Sequence, residues 1–183
     1  SRSRGAIDGP DRMTTTAERL PAGRLGEELG LTAEVLDQRR HLLNLTEATS
    51  GRLTPYAEAA AAGTDAFVAR LIDRWLACEH TAHLLYDEAT TARLAEHQRR
   101  YLDDLFRGDT SDAHVEAMLR TGAVHHRLGL TPQWYLASYL HVVCDHLPLL
   151  FAQAASPLDA VDAAGTLVAR VLFDASLALD AYE

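Results

Sequence analysis

The residues best able to do chemistry gather in one stretch, His125-His126-Arg127-Leu128-Gly129-Leu130-Thr131-Pro132-Gln133-Trp134-Tyr135. Two adjacent imidazoles precede Gly129, and an indole and a phenol follow Thr131-Pro132 within a turn. Glycine just past a helix end supplies a left-handed cap, and proline suits the first position of the next helix. One corner therefore ends a helix carrying imidazoles and starts another carrying aromatics, an arrangement suited to a flat, apolar, metal-bearing ligand. Consecutive helical residues point about 100° apart, so only one of the two histidines can look into a given pocket. His125 follows Met118 and Gly122 at helical spacing and His126 follows Leu119 in the same way, so periodicity does not choose between them.

The chain has nine histidines. His97 is the second candidate, because it falls on an otherwise apolar stripe of Leu94, Tyr101 and Leu105. A lone imidazole there is expected to satisfy itself on a backbone carbonyl, and a ligand role gains weight if another helix presents a histidine to the same cavity. His41, His80, His83 and His114 lie in polar surroundings and read as surface residues. A zinc site at His80 and His83 lacks further ligands. His141 and His146 sit in a long apolar helix and read as hydrogen-bonded core histidines. The HExxH, GxSxG and GxxxxGK[ST] patterns are absent, as are the paired Glu-x-x-His repeats of a di-iron bundle.

The elements that position these residues are all helical by period. Thr32 caps a helix to about Leu43; Thr46 to about Cys78 is Ala-rich, with breaks expected near Thr54-Pro55 and Gly63. Phe67, Val68, Leu71, Ile72 and Trp75 form a buried face there. His80 to Glu88 reads as a connection with a short turn through Leu84-Leu85. A helix starting at Thr90 or Thr91 runs to Phe106 and closes at Gly108. Ser111 caps the next, which ends at Gly129. Two long helices follow, Pro132 to about Gln153 and Pro157 to about Tyr182, the latter capped by Ser156. The last is apolar nearly all round, which predicts cover from the core on one side and a partner chain on the other. No strand alternation occurs, so the expected class is all-α, with about seven or eight helices.

A chain of 183 residues, 48% hydrophobic and 23% charged, has an ordinary globular composition and fits one domain. The net charge of −9, with scattered arginines, argues against a nucleic-acid binder. Cys78 and Cys144 form no metal-type spacing and read as reduced thiols of a cytoplasmic protein. The apolar run Gln133–Phe151 is interrupted by His141, Asp145, His146 and Pro148, which predicts a buried helix and no membrane span. Ser1 to Arg12 reads as a leader ahead of a natural start at Met13, and residues 1–30 as a partly ordered segment before a domain over 31–183.

From Leu94 to Tyr139 the chain resembles the globin-coupled sensors, haem-binding sensory globins. The resemblance rests on Arg93-Leu94, on Tyr101-Leu102-x-x-Leu105-Phe106-x-Gly108, and on Val124-His125-x-Arg127-Leu128-Gly129-Leu130-x-Pro132-x-Trp134-Tyr135-Leu136-x-x-Tyr139. A weaker Leu172-Phe173-Asp174-x-x-Leu177-x-Leu179-x-x-Tyr182 ending is similar to the family's last helix. What the resemblance implies is a sensor variant of the globin fold with an extra N-terminal helix, binding haem b. It implies His125 as the proximal iron ligand and Tyr135 beside that imidazole. Gly122 would clear space for the macrocycle. Leu94, Val68, Ile72, Met118, Trp134 and Tyr101 would complete the pocket.

The family's oxygen-stabilising tyrosine has no counterpart, since Val68 or Ile72 stands at its place and no tyrosine occurs between Phe67 and Leu85. His97 then becomes the candidate distal ligand or hydrogen-bond donor. The implied function is non-catalytic sensing of O2, CO, NO or redox state, signalled through a homodimer of the last two helices to an output module. One rival is a haem-free regulatory interaction module; another is a haem enzyme, disfavoured by the bare distal wall.

Overall fold

A computed structural model describes residues 25–182, which form helices and turns with no strand among them. α1 (Leu25–Glu28), α2 (Ala33–Leu42) and α3 (Glu47–Ser50) lead through a 3-10 segment (Gly51–Tyr56) into α4 (Ala57–Leu76). α5 (Glu79–Ala82), α6 (Glu88–Arg107), α7 (Asp112–Arg127), α8 (Pro132–Gln153) and α9 (Pro157–Asp180) complete the chain. The expected all-α class holds. The leader and most of the segment to Gly30 lie outside the described residues.

The helix ends follow local chemistry. Thr32, Ser111 and Ser156 each accept a backbone N–H with their hydroxyls at the starts of α2, α7 and α9. α6 begins two residues earlier than expected, because the Asp87 carboxylate takes the Thr90 N–H at 2.6 Å. Gly108 ends α6 at φ 78°, and Gly129 closes the turn after α7 at φ 73°, conformations that cost side-chain-bearing residues energy. Two expectations fail. Gly63 does not break α4, which runs through it with nothing near its missing side chain. The short turn after α4 falls at Glu79–Ala82 rather than Leu84-Leu85, where the Thr81 hydroxyl bonds the Trp75 carbonyl at 2.6 Å.

Packing is uneven, and the unevenness makes the site. α6 lies along α4, and α7 lies along α9, which also packs on α8. α6 and α7, joined by Gly108–Ser111, lie less closely along each other than along α4 and α9, and they meet near the corner, where Asp104 and His114 come within 4.8 Å. One core cluster holds Phe67, Val68, Leu71, Leu102, Leu105, Tyr135, Tyr139, Val142 and Leu167. A second, between α2, α7 and α9, holds Leu36, Val115, Met118, Leu119, Phe173 and Leu177. No helix among the described residues is long and apolar enough to cross a membrane.

Candidate functional site

The α7 backbone turns His125 inward and His126 outward, where the His126 ring meets the edge of Tyr182 at 5.6 Å. The His125 ring lies against Tyr135, with centroids 4.6 Å apart. Its Nδ1 is shut off from solvent and has no hydrogen-bond partner. Burial lowers its pKa from 6.5 to about 4, so the imidazole is neutral at neutral pH and its lone pair is free to ligate a metal.

From His125 an aromatic chain crosses to α6. The Tyr135 and Tyr139 hydroxyls hydrogen-bond each other, one turn apart on α8. Tyr139 then meets Tyr101 of α6 edge-on at 6.0 Å. The Tyr101 hydroxyl is buried, faces Asp174 and lacks a hydrogen bond of good geometry. Burial, and secondarily the Asp174 charge, holds the Tyr101 phenol far above its ordinary range. Val68 and Ile72 pack into the same core as Tyr135 and Tyr139. Aromatic contacts through Tyr135, Tyr139 and Tyr101 thus link the His125 end of α7 to α6.

Other expected site residues sit differently. His97 is exposed, correcting its place on the apolar stripe, although burial of its ring, ahead of Arg100, lowers its pKa. Leu94 is partly buried on the same helix. Trp134 stacks on His80, with centroids 4.4 Å apart and rings 19° from parallel, and so clasps the α5 region. Met118 belongs to the second core cluster. A Cβ on Gly122 would stand 2.0 Å from the Ala178 carbonyl oxygen, so the room left by this glycine is taken by α9.

Sequence reasoning misses a buried polar knot between α7, α9 and the α6–α7 corner. His114, expected at the surface, is 3% exposed, and its Nε2 donates to Asp174 Oδ1 at 2.8 Å. Arg170, one turn before Asp174 on α9, is fully buried and donates to the Asp109 carbonyl in the α6–α7 corner. The signal is present in the chain: both charged residues stand on the stripe of α9 that otherwise carries Ala163, Leu167, Val171 and Ala178. His146 matches its expectation as a core histidine, donating from Nδ1 to the Val142 carbonyl at 2.7 Å between Phe67 and Phe106.

Comparison with known proteins places these features. The family model described as Protoglobin matches residues 32–183. A heme-based aerotactic transducer, HemAT, of Halobacterium salinarum is 28% identical over 168 residues, covering 86% of this chain and 34% of its own. The chain thus spans about a third of that relative's length. Among solved structures, the globin domain of a Geobacter sulfurreducens globin-coupled sensor superposes with a TM-score of 0.74 at 14% identity, covering 80% of this chain and 97% of that one. The globin domain of E. coli DosC in its ferric form gives 0.67 at 13% identity, covering 79% and 97%. At such identities the two structures speak for the globin fold alone.

Proposed function

The chain belongs to the protoglobin family, and from that premise we propose that it is a haem-based sensor domain that performs no catalysis itself. The supporting observation is His125, a neutral imidazole whose buried Nδ1 has no hydrogen-bond partner, at the end of an aromatic chain to α6; the space between α6 and α7 there is the cleft we assign to haem. A buried polar atom without a partner is costly unless something else meets it. Haem b fits the donor set: His125 would ligate its iron, and Tyr135, Tyr101, Val68, Ile72 and Leu94 would wall the pocket. Bound there, haem b supplies an iron with a coordination position for O2, CO or NO. His97 is the residue we assign to the opposite side, as a second ligand or as a hydrogen-bond donor.

Signalling needs an element with two arrangements that the ligand biases. The name of the Halobacterium relative, an aerotactic transducer, supports an output module beyond this domain. For the dimer, the support is apolar surface: Val161, Val168 and Leu172 are exposed on α9, and Leu136, Leu140 and Phe151 on α8. Cys78 and Cys144 are both unpaired, which accords with a reducing, cytoplasmic setting.

Hemin titration tests the assignment. The wild type is expected to develop a Soret band, and His125→Ala to lose it or bind hemin about tenfold or more weakly. Ferrous spectra with and without CO then place His97, since a five-coordinate high-spin ferrous form without added ligand refutes its ligation. A wild type that stays colourless favours the haem-free interaction module.

A further inference from the structure

Most of the buried polar atoms without partners belong to four residues. Of seven among the described residues, five belong to His125, Tyr101, Asp174 and Arg170. Asp174 and Arg170 are fully buried one turn apart on α9, and each is tied to a different element: Asp174 to His114 at the start of α7, Arg170 to the Asp109 carbonyl in the corner. Buried charges seldom stabilise a fold better than apolar groups of the same volume, so their retention asks for another reason. Asp174 Oδ2 and the hydroxyl of its neighbour Tyr101 are both unpaired, the first an acceptor, the second a donor. Beyond Tyr101 lie Tyr139, Tyr135 and the His125 ring.

On the reading that haem occupies the cleft, we propose that Asp174 is a positioning residue for the pocket: it takes the proton of the Tyr101 hydroxyl in a hydrogen bond, and so sets what the Tyr101–Tyr139–Tyr135 chain presents to His125. A phenol that donates to a carboxylate keeps only lone pairs for its other neighbours. Tyr101 is thereby withheld as a donor to anything in the cleft, and the pocket is anchored to α9. The outer face of that helix carries Val161, Val168 and Leu172, so a change in the tyrosine chain reaches an exposed surface through one residue. The Asp174 charge also raises the Tyr139 phenol, behind burial and the neighbouring tyrosines.

Asp174→Asn, Tyr101→Phe and the double variant test this, in the full chain with and without hemin. Without hemin, urea unfolding is expected to give a non-additive cycle, with the two sites coupled by about fivefold or more in the unfolding constant. Additive effects overturn the proposal. With hemin, removing the buried anion is expected to raise the ferrous-to-ferric ratio at fixed ambient potential by about tenfold, and the rise should vanish in the Y101F background. An equal rise in both backgrounds marks a direct field effect and overturns the role assigned to Tyr101, as does no rise at all. If D174N does not fold, Asp174→Glu, which keeps the charge and moves it, replaces it in the hemin-free cycle, where the same non-additivity with Y101F is expected and additive effects overturn the proposal. A wild type that takes up no hemin defeats the haem reading, while the hemin-free cycle still decides whether Asp174 and Tyr101 act together.

Discussion

Gly122→Ala offers a sharp test of how α7 is held. The added Cβ would stand 2.0 Å from the Ala178 oxygen, 2.7 Å from its carbonyl carbon and 2.8 Å from its Cα, where ordinary contact begins at 3.4 Å. Backbone cannot rotate out of the way as a side chain can, so α7 and α9 must part by more than about 1 Å at this point. Overpacking costs about 1–3 kcal/mol, and the upper end applies to a clash with main chain. Alanine recovers about 1 kcal/mol through its better helix propensity. The net loss is about 2 kcal/mol, or about 1 M in urea midpoint for an m-value near 2 kcal/mol/M.

His125 sits three residues further along α7, so the same displacement disturbs its contact with Tyr135 and is expected to weaken hemin binding. Gly63→Ala is the control, since that glycine lies inside α4 with nothing within 4 Å of its missing Cβ. It should stabilise by about 0.5–1 kcal/mol. Urea unfolding followed by far-ultraviolet circular dichroism measures both. A Gly122→Ala midpoint equal to or above the wild type's refutes the close approach of α7 and α9.

Acid should destabilise the hemin-free protein through its buried imidazoles. The folded His125 takes a proton only near pH 4 and the unfolded one near 6.5, so the unfolded chain binds more protons in between. Stability is therefore lost as pH falls from about 6.5 through 4, by about 3 kcal/mol for His125 alone. His146, also lowered chiefly by burial, adds to the loss. Urea midpoints across that window should fall less steeply in His125→Phe, and an unchanged slope rules out the buried neutral imidazole. If the proposed dimer forms through the exposed apolar side of α9, Leu172→Glu and Val168→Glu are expected to lower the mass seen by light scattering from dimer to monomer while leaving helix content intact, and a wild type that is monomeric refutes the dimer. Ser138→Ala removes the acceptor 2.9 Å from Trp75 Nε1 and should cost about 1 kcal/mol and shift Trp emission, provided that bond holds α4 to α8.

What proves legible in the chain is what neighbours in sequence decide. The caps at Thr32, Ser111 and Ser156, the glycines at 108 and 129 and proline at 132 are all local devices, and each helix bound that depends on them falls within a few residues of its expected place. α6 is the instructive miss. Thr90 and Asp87 can both begin a helix, and the longer reach of the carboxylate to the Thr90 N–H settles the contest two residues upstream. Gly63 shows the opposite limit: its cost of about 1 kcal/mol against alanine is too small to break a helix that packs along its length on α6.

The site was legible only where one residue's own turn sets its direction. His125 and Tyr135 flank the short turn from Leu128 to Thr131 that Gly129 and Pro132 bound, yet spacing leaves His125 and His126 open, and it is the resemblance that sets Tyr135 beside His125. His114 reads as a surface histidine because Ser111, Asp112 and Glu116 surround it in sequence, yet its partner Asp174 lies 60 positions away. Gly122 has its reason in Ala178, and Trp134 in His80, again residues of other helices. Arg170 and Asp174 break the apolar stripe of α9 and so announce that something polar must meet them, without saying what. The same separation governs the helices themselves: α6 and α7, neighbours in the chain, each pack most closely on another element, on α4 and on α9. Tyr101 of α6 and the two tyrosines of α8 then span from one helix to the other, and where that chain ends the His125 Nδ1 has no protein group to bond, which is why a ligand is the partner we assign to it.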